Sequence, residues 1–440
     1  MPSVATEFPD LEDMYRWLHQ NPELSFQERA TAGMVEAELR GLGFTVLTGI
    51  GGTGVVGVLE NGAGPVVLLR ADMDALPVEE QTGLEYASHA RSMDQHGRDV
   101  PVMHACGHDV HTTCLVGAAR QLVADRLHWS GTLEVLFQPA EELGAGAIAM
   151  AEDGLFDRIP RPDIVLGQHV SPLPAGLVAI QPGLAFAAAD GIRIVFYGRG
   201  GHGSRPETTV DPVVMAAAAV LRLQTIVARE TAATDSLVLT IGSLHSGTKN
   251  NVIPETAEML ISLRSFDPEV REEAIAAIHR IAAGESLAGG APREALVDVY
   301  ESFPSVINDE AAARRTRAAL AVEFGEGAVI EPGAVTGSED VGVLAAAAGS
   351  PCSFWLLGGS DPALFSAASS VEEITRIVAQ QPSNHSPSYA PVIQPTLTVG
   401  VAALVAAARG WLASTSAGLE RASRPVAGRP DRAPRESPSR

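Results

Sequence analysis

The sequence predicts an α/β domain with a mostly parallel central sheet, interrupted by a smaller α+β domain. Three observations carry this prediction. Short apolar runs bounded by Gly and Pro alternate with helical patterns through 1–187, which is typical of a parallel sheet with crossover helices. Residues 188–302 then follow the order β-α-β-β-α-β. Residues 303–413 return to helix, strand and helix, so the first domain is expected to be discontinuous.

The first domain shows clear strand and helix signals. Ser25 is predicted to be the N-cap of a helix over 25–44, with Glu28 completing a capping box. A second helical pattern covers 112–127. Apolar runs predict strands at 53–60, 65–72, 131–139 and 163–170.

The interrupting domain alternates with period two in its strands. A helix is predicted over 211–230, with Pro212 in its first turn, and another over 268–284. Strands are predicted at 191–200, 236–244, 257–266 and 294–302. The remaining segment, 414–440, is rich in Ser, Pro and Arg and is expected to be a disordered tail.

Charge and composition exclude several classes of function. The 440 residues include 31 basic and 53 acidic side chains, a net charge of −22 that would repel nucleic acid and anionic membranes. Three cysteines are too few for a disulfide framework. The first residues lack the features of a signal peptide, and no unbroken run of about 18 strongly apolar residues occurs. We therefore expect a cytoplasmic protein.

The stretch MHACGHDVHT, 103–112, is the first candidate site. Cys106 and His108 flank Gly107, which removes a side chain that would crowd their approach to one ion. A thiolate and an imidazole so placed can chelate a cation such as Zn²⁺. The alternative is a polar loop with no ligand. His104 and His111 are expected to support or cap the pair.

Four further acidic residues follow predicted strands, where ligands collect in α/β sheets. Asp72 and Asp74 are two residues apart, so one carboxylate can orient a ligand while the other meets solvent. Two aspartates at this spacing also occur in ordinary turns. In the adjacent pair Glu141 and Glu142, one can ligate while the other takes a proton. A solvated acidic loop is the alternative. His169 and His385 are lone histidines, which are more often structural, so only the complete set favours a metal site.

Together the segments resemble the metallopeptidase and amidohydrolase family of aminoacylases, hippurate hydrolase, carboxypeptidase G and plant auxin-conjugate hydrolases. The similarity is to its N-acyl-amino-acid amidohydrolase branch. It runs in the family's order over about 11–410. The similar segments are LHQNPELSFQE, RADMDALPV, MHACGHDVHT, FQPAEE, GRGGHGSRPE, NVIPE, GSEDV and NHSPSY.

The resemblance implies a site for two divalent metal ions, with Zn²⁺ or Mn²⁺ expected and Co²⁺ or Ni²⁺ as alternatives. It implies Glu141 as the general base and Asp74 as the support of a ligand. It also implies that Glu339 supports a metal-binding histidine. The implied ligands are Cys106, His108, Glu142, His169 and His385.

The resemblance gives the interrupting domain a role as well. It implies that His202 reaches the active site of a partner subunit, in a homodimer or a tetramer of dimers joined through this domain. It implies that Asn251 and Arg264 bind substrate. The alternative for Arg264 is an ion pair with Asp267 or Glu258. Glu207 stands where the family often has a histidine, which leaves substrate contacts near this loop open.

The resulting expectation is a metal-dependent amidohydrolase that cleaves N-acyl amino acids into a carboxylic acid and an amino acid. A dipeptidase or carboxypeptidase of the same architecture is the main alternative. A non-catalytic metal-binding homologue is the third, but every implied ligand and Glu141 are present.

Overall fold

The computed structural model describes residues 9–414. They form two main sheets with helices packed against both, as the sequence predicts, and three further sheets of two strands each. The helices are α1 (Leu11–Gln20), α2 (Arg29–Gly41), α3 (His108–Ala124), α4 (Gly146–Glu152), α5 (Leu155–Arg158), α6 (Pro212–Thr225), α7 (Pro268–Ala288), α8 (Glu310–Phe324), α9 (Val341–Ala348), α10 (Val371–Val378) and α11 (Ile393–Trp411).

The strands vary from two to eleven residues in length. They are β1 (Thr45–Ile50), β2 (Gly54–Asn61), β3 (Val66–Asp72), β4 (Arg91–Met93), β5 (Asp99–Pro101), β6 (Trp129–Gln138), β7 (Ile164–Pro174), β8 (Val178–Ile180), β9 (Gly183–Phe186), β10 (Ala188–Tyr197), β11 (Gly201–His202), β12 (Leu237–Ser246), β13 (Val252–Ile253), β14 (Thr256–Ser265), β15 (Leu296–Phe303), β16 (Val306–Asn308), β17 (Val329–Ile330), β18 (Cys352–Ser360) and β19 (Ala413–Ser414).

The larger sheet has nine strands, in the order β1-β2-β6-β3-β7-β18-β8-β17 with β19 paired to β6. Its centre, β6-β3-β7-β18, is parallel, while β1 and β2 are antiparallel to their neighbours. The predicted mostly parallel sheet is therefore confirmed. Apolar clusters cover both faces, one beneath α1, α3, α8 and α11 and the other beneath α4, α5 and α9. Residues at the carboxyl ends of the parallel strands consequently share one edge.

The smaller sheet is antiparallel, in the order β12-β14-β10-β15. Helices α6 and α7 pack on one of its faces around an apolar cluster. This arrangement confirms the predicted α+β fold. The opposite face carries Ala189, Gly191 and Arg264, which line a cleft towards the larger sheet.

Two stretches, Pro212–Glu230 and Ile393–Trp411, are long and apolar enough to span a bilayer by composition. Helix α11 packs against α3 and α8, and α6 packs against the smaller sheet. Core packing therefore explains their apolar character.

The predicted start of α2 is wrong. The helix begins at Arg29, and the Glu28 carboxylate makes no capping hydrogen bond. The Ser25 hydroxyl instead donates to Asp74 Oδ2 at 2.7 Å, because tertiary contacts outweigh the local capping pattern. The predicted disordered tail lies outside the described residues except for Ser414, which pairs with Trp129.

Glu134 is a carboxyl buried within the larger sheet. Its two oxygens lack hydrogen-bond partners in 9–414, and burial raises its pKa from 4.5 to about 8. Because the folded state binds this proton more tightly, stability should fall as the pH rises from 4.5 through 8.

We predict that Glu134→Gln lessens the loss of thermal stability between pH 5 and pH 9. At pH 9 the variant should melt roughly 2 °C or more above the wild type, measured by differential scanning fluorimetry. Glu60→Gln, at an exposed position of β2, is the control and should leave the difference unchanged. Parallel melting curves for wild type and Glu134→Gln across this range would contradict the prediction.

Candidate metal centre

The predicted ligands converge from four segments at one edge of the larger sheet. Glu142 lies in a short turn after β6, His169 lies within β7, and His385 lies in the loop before α11. Cys106 and His108 lie at the start of α3. Gly107 between them has a φ of 84°, and a Cβ there would lie 2.4 Å from Val170 Cγ1, so this position requires glycine.

The ligand atoms form overlapping groups. Cys106 Sγ lies 3.4 Å from His169 Nε2, and His385 Nε2 lies 3.3 Å from Glu142 Oε2. The groups Cys106–His108–His169 and Cys106–Glu142–His385 each have their ligand atoms within 4.8 Å of one another. Since both groups contain Cys106, the arrangement can hold two neighbouring cations.

Unpartnered buried atoms at the centre fit a cation. His108 Nε2 and Glu142 Oε1 are buried without a hydrogen-bond partner in the described chain, and they face each other at 3.8 Å. The Nδ1 of His169 donates to the Val170 carbonyl at 2.7 Å, which leaves Nε2 free as a ligand. Burial lowers the pKa of His169 to about 4, so its imidazole is neutral. A neutral imidazole and a thiol suit a borderline ion such as Zn²⁺.

Cys106 needs a nearby cation to ionise. Burial, followed by the negative charges of Glu142 and Glu141, raises the pKa of its thiol well above the usual range. The Asn384 amide donates to the Cys106 carbonyl at 3.1 Å and to the Val170 carbonyl at 3.2 Å, which ties the His385 loop to this segment. The pattern NHS in the sequence is the signal that could have identified Asn384.

The two aspartates at the carboxyl end of β3, Asp72 and Asp74, are both buried, so the expectation that one meets solvent is wrong. Asp74 Oδ1 lies 3.3 Å from His108 Nδ1. Asp72 Oδ1 lies 2.5 Å from Nδ1 of His111, whose Nε2 accepts the Val170 N–H at 2.7 Å. The Asp72 carboxylate therefore fixes the His111 imidazole, and the Asp74 carboxylate lies beside the His108 imidazole, as supporting carboxylates do at metal sites.

Glu141 is buried beside the ligands. Its Oε2 lies 3.9 Å from His108 Nε2. Burial raises its pKa well above the usual range, and the carboxylates of Glu339 and Glu142 add to the effect. A carboxyl group in this setting can hold and release a proton near neutral pH once cations offset part of the negative charge.

The expected contact of Glu339 with a metal-binding histidine is wrong. Its carboxylate lies 2.8 Å from Arg70 and accepts the N–H groups of Asp340 and Val341. Arg70, missed in the sequence because it lies in an apolar strand, is fully buried and also contacts Asp72 at 2.7 Å. It supplies the positive charge that this group of carboxylates needs.

A cleft of about 480 Å³ joins the ligands to the smaller sheet. Arg264 lines it and donates to the Thr336 carbonyl at 2.6 Å, whereas Glu258 pairs with Arg193 and Asp267 caps α7. Neither expected alternative partner therefore holds Arg264.

Glu301, which the sequence did not single out, also lines the cleft and is half-buried. His202 and Asn251 lie elsewhere: both are exposed on the β11 and β13 side of this domain, and neither lines the cleft.

The sequence profile of peptidase family M20/M25/M40 matches residues 68–378, well over half of the chain. The chain belongs to this family. This match confirms the family resemblance of the sequence motifs. It also confirms the prediction of a hydrolase in the metallopeptidase and amidohydrolase class. Every feature of the metal centre described above except His385 and Asn384 lies within the matched residues.

Similar proteins of the M20/M25/M40 family have related but different names. Thermostable carboxypeptidase 2 of Saccharolobus solfataricus is 38% identical over 348 residues, covering 77% of this chain and 84% of its own. Hippurate hydrolase of Campylobacter jejuni is 40% identical over 286 residues, covering 64% and 72%. The crystal structure of Bacillus subtilis YXEP protein, a dinuclear metal-binding peptidase of the M20 family, has a TM-score of 0.69 at 29% identity, covering 91% of this chain and 97% of its own. The fold is therefore that of M20 peptidases.

We predict that Asp74→Asn weakens metal binding by about 10- to 100-fold, because an amide cannot accept from both the Glu141 and Glu142 N–H groups while facing His108. Competition with a Zn²⁺ chelator measures the affinity. Asp163→Asn is the control, since Asp163 accepts the Val66 N–H at the opposite end of β3. Equal affinities for both variants would show that Asp74 does not support the ligands.

Proposed function

We propose that this M20-family hydrolase is a dinuclear metal-dependent amidohydrolase that cleaves N-acyl amino acids into a carboxylic acid and an amino acid. The main support is the pair of ligand groups that share Cys106, with the buried Glu141 carboxyl beside them. Zn²⁺ or Mn²⁺ fits the mixed thiolate, imidazole and carboxylate donors, with Co²⁺ or Ni²⁺ as further candidates. We also place the protein in the cytoplasm.

The residues divide the reaction between them. Cations bound by Cys106, His108, Glu142, His169 and His385 would acidify the attacking water and polarise the scissile carbonyl. Glu141 takes the proton of that water and passes it to the departing amine. Its raised pKa favours the first of these transfers, because a buried carboxylate takes up a proton more readily than an exposed one.

Substrate binding involves the smaller sheet. Arg264 lines the cleft on the face of the smaller sheet that α6 and α7 leave uncovered. Its guanidinium can bind the carboxylate of the substrate's amino-acid part through two hydrogen bonds. The Thr336 carbonyl fixes the direction of that guanidinium. A carboxylate on the substrate therefore matches the cleft.

His202 and Asn251 are proposed to act across a homodimer interface, formed through the smaller sheet and its helices. Both are exposed and outside the cleft of their own chain. The Gly203 N–H donates to the Asn251 carbonyl at 2.8 Å, so the two residues lie on neighbouring turns. In a dimer or a tetramer of dimers, this pair would supply His202 as the oxyanion donor and Asn251 as a substrate contact for the partner's cleft.

A dipeptidase is the second candidate, and Glu301 favours it. This half-buried carboxylate lines the cleft, where it could pair with the ammonium group of a dipeptide. N-acyl amino acids lack that ammonium group. A panel containing both classes of substrate distinguishes the two candidates.

We predict that Glu141→Gln lowers amide hydrolysis by about 10³-fold or more while metal binding persists, because the variant cannot carry the proton. Amine release is measured on chelator-treated protein reloaded with Zn²⁺, Mn²⁺, Co²⁺ or Ni²⁺, using N-acyl amino acids and dipeptides. Glu152→Gln, on the exposed end of α4, is the control with full activity. Undiminished hydrolysis by Glu141→Gln would remove Glu141 from the mechanism.

The interface proposal predicts complementation between two inactive variants. Glu141→Gln and His202→Ala, co-expressed with different tags, should form mixed dimers in which one of the two clefts has both groups. Random assembly should restore about a quarter of wild-type activity. No activity in purified mixed dimers would show that His202 does not act in the partner's cleft.

A further inference from the structure

Three successive backbone N–H groups after β6 donate to two buried carboxylates. The Ala140 N–H donates to Glu28 Oε1 at 2.9 Å. The Glu141 N–H donates to Asp74 Oδ1 at 3.1 Å, and the Glu142 N–H to Asp74 Oδ2 at 3.0 Å. The segment that carries the proposed general base is therefore held through its backbone. Glu28 is one of the two carboxylates that hold it.

Glu28 is fully buried, yet helix capping does not explain its position. Its Oε1 also accepts the Phe26 N–H at 2.9 Å, and its Oε2 accepts the Thr53 hydroxyl at 2.5 Å. A buried carboxylate is costly unless hydrogen bonds satisfy it. These contacts join the loop before α2, the turn before β2 and the end of β6 at one carboxyl group.

Ala140 and Phe26, the two residues whose N–H groups share Glu28 Oε1, both have left-handed backbones. Ala140 has a φ of 47° and Phe26 a φ of 62°. This conformation is unfavourable for residues other than glycine, so surrounding contacts must maintain it. Because Ala140 directly precedes Glu141, its backbone sets the direction in which the Glu141 side chain leaves the turn.

We propose that Glu28 is a positioning residue for Glu141. By accepting the Ala140 N–H, it maintains the left-handed turn that directs the Glu141 carboxyl to the metal centre. The inference rests on the proposed function for the role of Glu141, but the contact itself does not. Glu28 bonds to Phe26, Thr53 and Ala140 and does not line the cleft, so its loss should disturb the orientation of the base more than substrate affinity.

Hydrogen exchange of the full-length protein tests the contact without any substrate. In Glu28→Ala, amides in peptides covering 138–143 should exchange about tenfold faster than in the wild type, because the strained turn loses its acceptor. Glu23→Ala is the matched control. The Glu23 carboxylate also accepts two N–H groups, those of Ala30 and Thr31, but at the start of α2. It should leave exchange over 138–143 unchanged.

Kinetics test the positioning. Glu28→Ala should lower kcat about tenfold with KM within about twofold and two metal ions still bound, since Asp74 still accepts the N–H group of the ligand Glu142. Glu28→Gln should restore exchange and kcat to within about twofold of the wild type, because the amide oxygen can still accept both N–H groups. If Glu28→Ala is insoluble, Glu28→Asp replaces it, since it keeps the charge but is one methylene too short.

Faster exchange over 138–143 with a reduced kcat, restored by Glu28→Gln, supports the proposal. Exchange equal to that of Glu23→Ala, or faster exchange with an unchanged kcat, overturns it. A wild-type protein that hydrolyses no amide would defeat the proposed function alone, while the exchange results would still show whether Glu28 holds the turn.

Discussion

The concentration of negative charge at one edge of the sheet constrains the whole site. Asp72, Asp74, Glu141, Glu339 and Asp340 are buried there. Buried carboxylates are stable only with opposite charge or donors beside them. Arg70, 2.8 Å from Glu339 and 2.7 Å from Asp72, offsets part of this charge. The remaining negative charge, beside the neutral imidazole of His169 and the thiol of Cys106, is what divalent cations would balance.

The architecture explains why these groups meet. Parallel strands β3, β6 and β7 bring Asp72, the turn with Glu141, and His169 to one edge, although they are far apart in the chain. Helix α3 begins at the same edge with His108. The smaller sheet then closes the cleft with its helix-free face, so that Arg264 faces the ligands. Fold and site therefore depend on the same parallel register.

The sequence predicted the parts of the site that local patterns describe. Metal-ligand spacing identified Cys106 and His108, and strand ends identified the acidic pairs. Glu28 was misread because its spacing from Ser25 matches a capping box, while its real partner, Ala140, lies 112 positions away. Arg70 was missed because an arginine in an apolar strand gives no local signal of the 269-residue separation from Glu339. Contacts of this range depend on strand order, which the pattern of one chain does not specify.

In the proposed centre, five side chains hold two metal ions. X-ray anomalous scattering from crystals of Zn²⁺-loaded protein, collected above and below the zinc edge, tests it directly. We expect two peaks within the group formed by Cys106, His108, Glu142, His169 and His385, with about two ions per chain by mass spectrometry. One peak, or peaks coordinated by other residues, would contradict the assignment of a dinuclear centre to these side chains.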